Sequence, residues 1–349
     1  MSFITRYGSI FGTIPPTTGR LYFVAPAGTY VIDGRTYSSS DNNDGLSPER
    51  ALATIAQFVT NASASQGDTA ILLEGTHTLT SVVNISKAGL TILGVHSQYG
   101  RQNFTNPKVA ISAIGSTINI FNVTSNNFEL GYVTMIPANT LSGIVFGTGN
   151  STGTGGSNAT GVDGLYVHDC LFRMGVGGTD LGTVGINFGY RSATANLTGR
   201  GTARLASTFG LATAYIENCV FRSDKASGPA IDAATCNIWV KGCRFVRNAT
   251  WTTQIMVATN ASSFLLEDAV FMGFGGSGLP IDGTSSNVSS SLTLKSCSFD
   301  AKGLTDRSKP LDNFSLINEG GASFAGGAMI GNDVNIMTAT GVIAVTVIT

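Results

Sequence analysis

Charge is scarce in this sequence. Lys, Arg, Asp and Glu together make up 12% of the 349 residues, with a net charge of −1, where a soluble domain usually carries about a quarter. A nucleic-acid protein would show a basic surface, so that class is excluded. No run approaches the ~18 apolar residues of a membrane span, and no membrane contact is expected. Tryptophan and histidine are rare too, at 2 and 3 residues. His77, His96 and His168 are not spaced as metal ligands, and His168 reads as surface decoration. The five cysteines are an odd number, which suits small buried hydrophobes better than a disulfide framework. The first residues lack a charged start, an apolar run and a cleavage site. The expectation is therefore a chain made in a cytoplasm and kept there or released by lysis. Low charge does not mean disorder, because 42% of the residues are apolar, ample for a core.

What is abundant is repetition. Five segments share one pattern: Val167–Phe172, Ile216–Phe221, Val240–Phe245, Leu266–Phe271 and Leu294–Phe299. Each has an aliphatic residue, a polar pair, a small apolar residue, a spacer and Phe. This yields a column Cys170, Cys219, Cys243, Ala269, Cys297 and a second column Phe172, Phe221, Phe245, Phe271, Phe299. A further apolar column follows at Ile186, Ile231, Met256 and Ile281, and Val133 with Ile144 extends the pattern backwards. The steps Cys219 to Cys243, Cys243 to Ala269 and Ala269 to Cys297 are 24, 26 and 28 residues. A repeat of this length signals a solenoid, and period-2 runs such as Leu292-Thr-Leu294 make the unit a strand rather than a helix. One circuit of three short strands is a parallel β-helix coil. A β-sandwich would not explain why the same corner and inward columns recur in phase.

The chain divides accordingly. Residues 1–20 form an arm mixing Phe3, Tyr7 and Phe11 with Pro15-Pro16, and residues 21–65 hold a strand from Leu21 to Val24 and a capping helix. Ser47 as N-cap and Pro48 as first helical residue predict a helix ending near Asn61, with Leu52, Ile55, Ala56 and Val59 on one face. Its task is to cover the open first coil. Residues 66–315 are the coils, with insertions at 147–161 and 189–210 falling at one corner, the expected contact edge. Residues 316–349 form a C-terminal β cap or oligomerisation segment, ending in an apolar strand that includes Val342, Ile343, Val345 and Val347.

The order of the strand Leu21–Val24, Asp41-Asn-Asn-Asp-Gly-Leu-Ser-Pro48, Gly67-Asp-Thr and Gly75-Thr-His77 resembles the opening of right-handed parallel β-helix proteins of the pectate-lyase-like superfamily. With Ile4-Thr-Arg-Tyr-Gly-Ser9 ahead of it, the stretch is similar to proteins of tailed bacteriophages. The resemblance covers about the first 80 residues. It implies an all-β, right-handed, single-stranded parallel β-helix with an N-terminal capping helix, in a virion structural protein.

Chemistry is harder to find. Glycosidases on this fold need facing carboxylates. Asp232 and Asp282 are separated by one coil, with Val257 as the intervening equivalent and Asn187 below Asp232, which is too wide for a retaining pair. Asp163, Asp169, Asp224 and Asp300 read as turn residues. Asp41–Gly45 has part of a Ca²⁺ loop but lacks its bidentate Glu. Trp239 and Trp251 are not clustered with acids, and the basic candidates are scattered at Arg191, Arg200 and Arg204. No catalytic residue, metal or other cofactor is expected. The leading reading is a non-enzymatic capsid decoration or cement protein of a phage virion, forming a homotrimer and contacting the major capsid protein or other virion proteins. Its interaction residues would be Phe3, Tyr7, Phe11, Val342, Ile343, Val345 and Val347. The alternative is a tailspike or fibre that binds or depolymerises host surface polysaccharide, or, less favoured, a free polysaccharide lyase or hydrolase.

Overall fold

The sequence alternates short apolar strands with polar corners, and the chain winds as that pattern dictates. The structure is a computed structural model and describes residues 18–95, 107–115, 118–138, 141–146, 162–175, 184–188, 212–223, 228–234, 236–246, 255–258, 263–272, 281–283, 291–300, 311–312, 315–318, 323–325 and 335–336. The fold is a right-handed parallel β-helix. One coil shows the plan: Leu165–His168 lies in the first sheet, Leu171–Met174 in the second and Val184–Phe188 in the third. Among the described residues these sheets hold eleven, nine and eight strands. Pairing is parallel from rung to rung, except where Asn335–Ile336 runs antiparallel to Ser315–Asn318 at the end of the first sheet. No helix among the described residues is long and apolar enough to cross a membrane.

The corner between first and second sheets is the most regular feature. Tyr132, Asp169, Asn218, Gly242, Asp268 and Ser296 occupy it on successive coils, all left-handed with φ of 59, 52, 51, 62, 52 and 52°. Asn, Asp and Gly tolerate this conformation best, which is why the repeat carries a polar pair at this point. The turn leaves the ladder unbroken. Asp169, Asn218, Gly242 and Asp268 each donate an N–H to the next coil, to Glu217, Lys241, Glu267 and Lys295 carbonyls at 3.0, 2.8, 2.9 and 3.0 Å.

Directly after the corner, Cys170, Cys219, Cys243, Ala269 and Cys297 point into the lumen, each fully buried. The thiols of Cys170, Cys219, Cys243 and Cys297 donate to the carbonyls two residues back, at 3.2 to 3.5 Å. All four are free. Burial, reinforced by the thiols of Cys170 and Cys243, pushes the Cys219 thiol well up, so this sulfur is a packing group rather than a nucleophile. Two residues on, Phe172, Phe221, Phe245 and Phe271 stack with centroids 4.7, 5.2 and 4.5 Å apart and planes within 13°. Each such pair adds about 0.5–1.5 kcal/mol beyond its area burial. Phe299 pairs with Phe271 in the backbone register.

Two expectations are corrected here. The helix does not run from Pro48. Pro48–Arg50 makes one 3₁₀ turn, and Ser47 makes no side-chain cap. The α-helix is Ile55–Asn61, capped by Thr54, whose Oγ1 accepts from the Gln57 N–H at 3.1 Å. Between the two, Leu52 leaves helical geometry to bridge Val24 in parallel. Its N–H donates to Phe23 O at 2.9 Å and its carbonyl accepts from Ala25 N at 2.9 Å. Covering the edge of the first strand outweighs the local helix signal. The buried face is consequently Ile55, Phe58 and Val59, while Ala56 is exposed. Lys87 Nζ caps the far end by donating to the Thr60 and Ala62 carbonyls at 2.7 and 2.6 Å.

The second correction concerns register. Ile144, Ile186, Ile231, Ile255 and Ile281 form the third-sheet column, so Ile255 replaces Met256. Met256, not Val257, then lies between Asp232 and Asp282. A slip of one residue exchanges the two faces of a strand.

Candidate functional site

The outward residues of the first sheet form columns with the same period as the core. Relative to the Cys column, positions four back are Glu129, Tyr166, Tyr215, Trp239, Leu265 and Thr293, and positions two back are Gly131, His168, Glu217, Lys241, Glu267 and Lys295. Strand alternation turns both sets away from the lumen.

The first set makes an aromatic wall. Tyr166 and Tyr215 stack at 5.3 Å with planes 7° apart, and Trp239 follows at 4.7 Å, tilted 37°. His168 extends the stack at the other end, 4.6 Å from Tyr166. Gly164, Thr213 and Asn237, two residues earlier on each strand, are small or short. The result is a groove of about 460 Å³ lined by these three residues, Tyr166, Tyr215, Trp239, Leu265 and the strand residues between them. In sequence, residues 147–161 precede Gly164 and residues 189–211 precede Thr213. The contact edge expected at 147–161 and 189–210 itself lies outside the described residues.

The second set is a charge ladder. His168 is buried rather than decorating the surface, because its ring lies over Gly131, where a Cβ would come within 2.4 Å of it. Its Nδ1 faces Asp169 Oδ2 at 2.9 Å and its Nε2 faces Glu129 Oε1 at 3.1 Å. Carboxylates only accept, so both ring nitrogens must donate, and the imidazole is held as a cation. Burial works against the charge, but the hydrogen bonds from Asp169 and Glu129 outweigh it and push the pKa up to about 9. The same bond from His168 holds the Glu129 carboxyl below its usual range.

Higher on the ladder, Tyr166 donates its hydroxyl to Glu217 Oε2 at 2.9 Å. Burial and the Glu217 charge raise the Tyr215 hydroxyl to about 12. Glu267 lies 3.2 Å from Lys295 and 3.8 Å from Lys241, and Lys295 above all keeps its carboxyl low. Trp239, beside Glu267, also helps to keep that carboxyl low, with Lys241 Nζ 5.6 Å from its ring centroid. Trp239 is thus clustered with an acid, contrary to the sequence reading. The signal was present, since Tyr166, Tyr215 and Trp239 keep the spacing of the cysteines. Trp251 lies outside the described residues.

Neither a protein-family model nor a curated protein matches the sequence. Among solved structures, the pectin methylesterase of Aspergillus niger in deglycosylated form is 14% identical, with a TM-score of 0.40 over 94% of this chain and 93% of that one. Pectate lyase Pel9A is 14% identical, with a TM-score of 0.44 over 88% and 68%. ORF18 of Geobacillus virus E2 is 15% identical, with a TM-score of 0.21 over 70% and 58%. At such identities the likeness is one of fold.

The remaining candidates divide. Asp41 accepts from Ala53 N, Thr54 N and Thr54 Oγ1 at 3.0, 2.9 and 2.9 Å, and Asp44 from Leu46 N at 3.0 Å, so this loop secures the start of the helix. Asp163 accepts from the Thr213 hydroxyl and N–H and from Gly164 N, and the Thr213 hydroxyl chiefly holds its carboxyl low. Asp169 is the corner residue beside His168. Asp300 ends the strand Ser298–Asp300. Asp232 is buried next to Asn187 in the third sheet, and Asp282 pairs in register with Asp312 one coil further. His77 is buried, with Nε2 donating to Leu73 O at 3.0 Å, and burial lowers its pKa. Phe3, Tyr7, Phe11, Val342, Ile343, Val345, Val347, His96, Asp224, Arg191, Arg200 and Arg204 lie outside the described residues.

Proposed function

We propose that the chain is a non-enzymatic structural protein of a phage virion, a trimeric capsid decoration or cement protein on the outer shell. The observation that carries the reading is how the charged side chains of the first sheet are used. His168 is locked between two carboxylates, and Glu267 is engaged by two lysines. Groups bonded in this way stiffen a surface, whereas a general acid or base needs a proton partner in the substrate. The phage-like opening sequence, the aromatic residues Phe3, Tyr7 and Phe11 and the apolar residues Val342, Ile343, Val345 and Val347 support attachment to other virion proteins and to further copies of the chain.

Copy number in purified virions, measured against the major capsid protein, tests the reading. Hundreds of copies locked to shell symmetry are expected. About a dozen would place the chain on the tail, and absence from the particle would overturn a structural role.

The second reading is a tailspike or fibre acting on host polysaccharide. It is favoured by the register of Asp282 with Asp312 on adjacent coils, two rungs from Asp232. Loss of polysaccharide cleavage in Asp232→Ala or Asp282→Ala, with folding intact, would establish it. Undetectable cleavage in every form would end it as an enzyme, and unchanged cleavage in both variants would remove these two aspartates from the chemistry.

A further inference from the structure

We infer that the outer face of the first sheet is a self-association surface, on which a second copy of the chain packs with its solenoid axis reversed. The inference goes beyond the virion reading and does not depend on where in a particle the chain sits.

Two columns of this face carry the argument. One is the aromatic wall, in which Tyr166 and Tyr215 stack and Trp239, itself 39% exposed, carries the column on to Leu265. An exposed indole on a rigid strand face is the kind of group that anchors protein contacts. The other is the charge ladder Glu217, Lys241, Glu267 and Lys295, one residue per coil. Its lysines stay within reach of a partner, the side chains of Lys241 and Lys295 being 36% and 49% exposed. Asp163, the acid beside the aromatic strands, is engaged inside the chain by the Thr213 hydroxyl and N–H and by the Gly164 N–H, so it takes no part in the alternation.

The order of signs selects the partner and its orientation. Minus, plus, minus, plus becomes plus, minus, plus, minus when reversed, so the ladder complements itself only if the two chains run in opposite directions. A twofold axis along the strand direction, passing between the coils of Lys241 and Glu267, sets Lys241 against Glu267 of the partner subunit. It also sets Glu217 against Lys295 of the partner subunit, and the symmetry makes each pair occur twice. The same axis keeps each column facing its own kind, and brings Trp239 against Leu265 of the partner subunit. A parallel self-contact of this column, as around a threefold axis, would set every charge against its own sign, which is destabilising. A trimer must therefore close through other surfaces, and this contact is additional to it. A uniformly acidic or basic partner would meet as many like charges as opposite ones. The four coils of the ladder span about 14 Å, a small interface of the reversible kind.

The test is sedimentation velocity of the full chain over a wide range of concentration. Association in pairs is expected: dimers of the chain, or paired trimers if the chain is itself trimeric. Because the contact is twofold, each substitution acts twice, and Lys241→Glu or Glu267→Lys alone should weaken association about tenfold or more. An equimolar mixture of these two variants should recover it, since opposite signs then face each other at both central pairs. Recovery on mixing also shows that both variants fold. Trp239→Ala should weaken association to a similar degree, and Trp239→Phe, which keeps a ring, much less. The inference is overturned if the native chain stays single at every concentration, which would leave the face to another virion protein or a glycan. It is equally overturned if the chain forms trimers alone that these variants leave unchanged, or if mixing the two charge variants restores nothing. None of these outcomes alters virion copy number, so the two readings fail separately.

Discussion

The imidazolium of His168 makes stability depend on pH with a predictable sign. Its pKa is about 9 in the fold against 6.5 for the free side chain. A group whose folded pKa is raised contributes stability that is complete below 6.5 and vanishes as pH rises through 9. The difference corresponds to roughly 3 kcal/mol. Some discount is due because Glu129 is 35% exposed and screened by solvent, so about 2–3 kcal/mol is expected. His77 acts in the opposite range. Its pKa is lowered by burial, so it costs stability only as pH falls below 6.5. Cysteines interfere at the alkaline end, since Cys297 is raised by burial to about 11 and the unfolded thiol ionises first. For that reason the informative quantity is the difference between the native chain and His168→Gln. Urea unfolding at pH 6, 7, 8, 9 and 10 should show the gap greatest at pH 6 and smaller by about 2–3 kcal/mol at pH 10. A gap independent of pH, or one that widens with it, would refute the claim that His168 is held as a cation. Direct titration of its ring resonances would then show an ordinary pKa.

Other predictions follow from the same packing. Phe245 lies between Phe221 and Phe271 at 5.2 and 4.5 Å, so Phe245→Ala should cost about 3–5 kcal/mol in urea unfolding, and Phe245→Leu distinctly less. Gly131→Ala places a Cβ within 2.4 Å of the His168 ring; the ring must move, and the His168 pKa followed by NMR should fall towards 6.5 as its carboxylate bonds lengthen. Asp41→Ala removes three hydrogen bonds at the start of the helix, and should lower stability by about 1–2 kcal/mol; an unchanged thermal midpoint would count against that role. With Cys170, Cys219, Cys243 and Cys297 fully buried, no more than one of the five thiols should react with an aromatic disulfide reagent at pH 8 until urea is added.

The lumen was legible in the sequence for a physical reason: stacked coils place like beside like, so the interior repeats in residue identity as well as in period. Cys170, Cys219 and Cys243, and the Phe column two residues on, announce themselves. The outer face repeats only in position. Tyr166, Tyr215, Trp239 and Leu265 share one column, but side chains facing solvent need not match, and the column is visible only once the cysteines supply the phase. His168 was misread because a polar residue at a corner is usually solvated, and nothing local reveals that Glu129, 39 residues earlier, reaches its ring. The register slip at Met256 arose in a run, Ile255-Met-Val257, with no polar residue to mark the outer face. The helix start failed differently. Ser47 and Pro48 are good local signals, but the open edge of Leu21–Val24 requires a partner, and Leu52 supplies it. Local preferences worth a few tenths of a kcal/mol per residue give way where unpaired backbone groups would otherwise be left at the end of a sheet. The cap and the outer columns thus have one cause in common: both answer to coils far away in sequence, which the fold alone brings together.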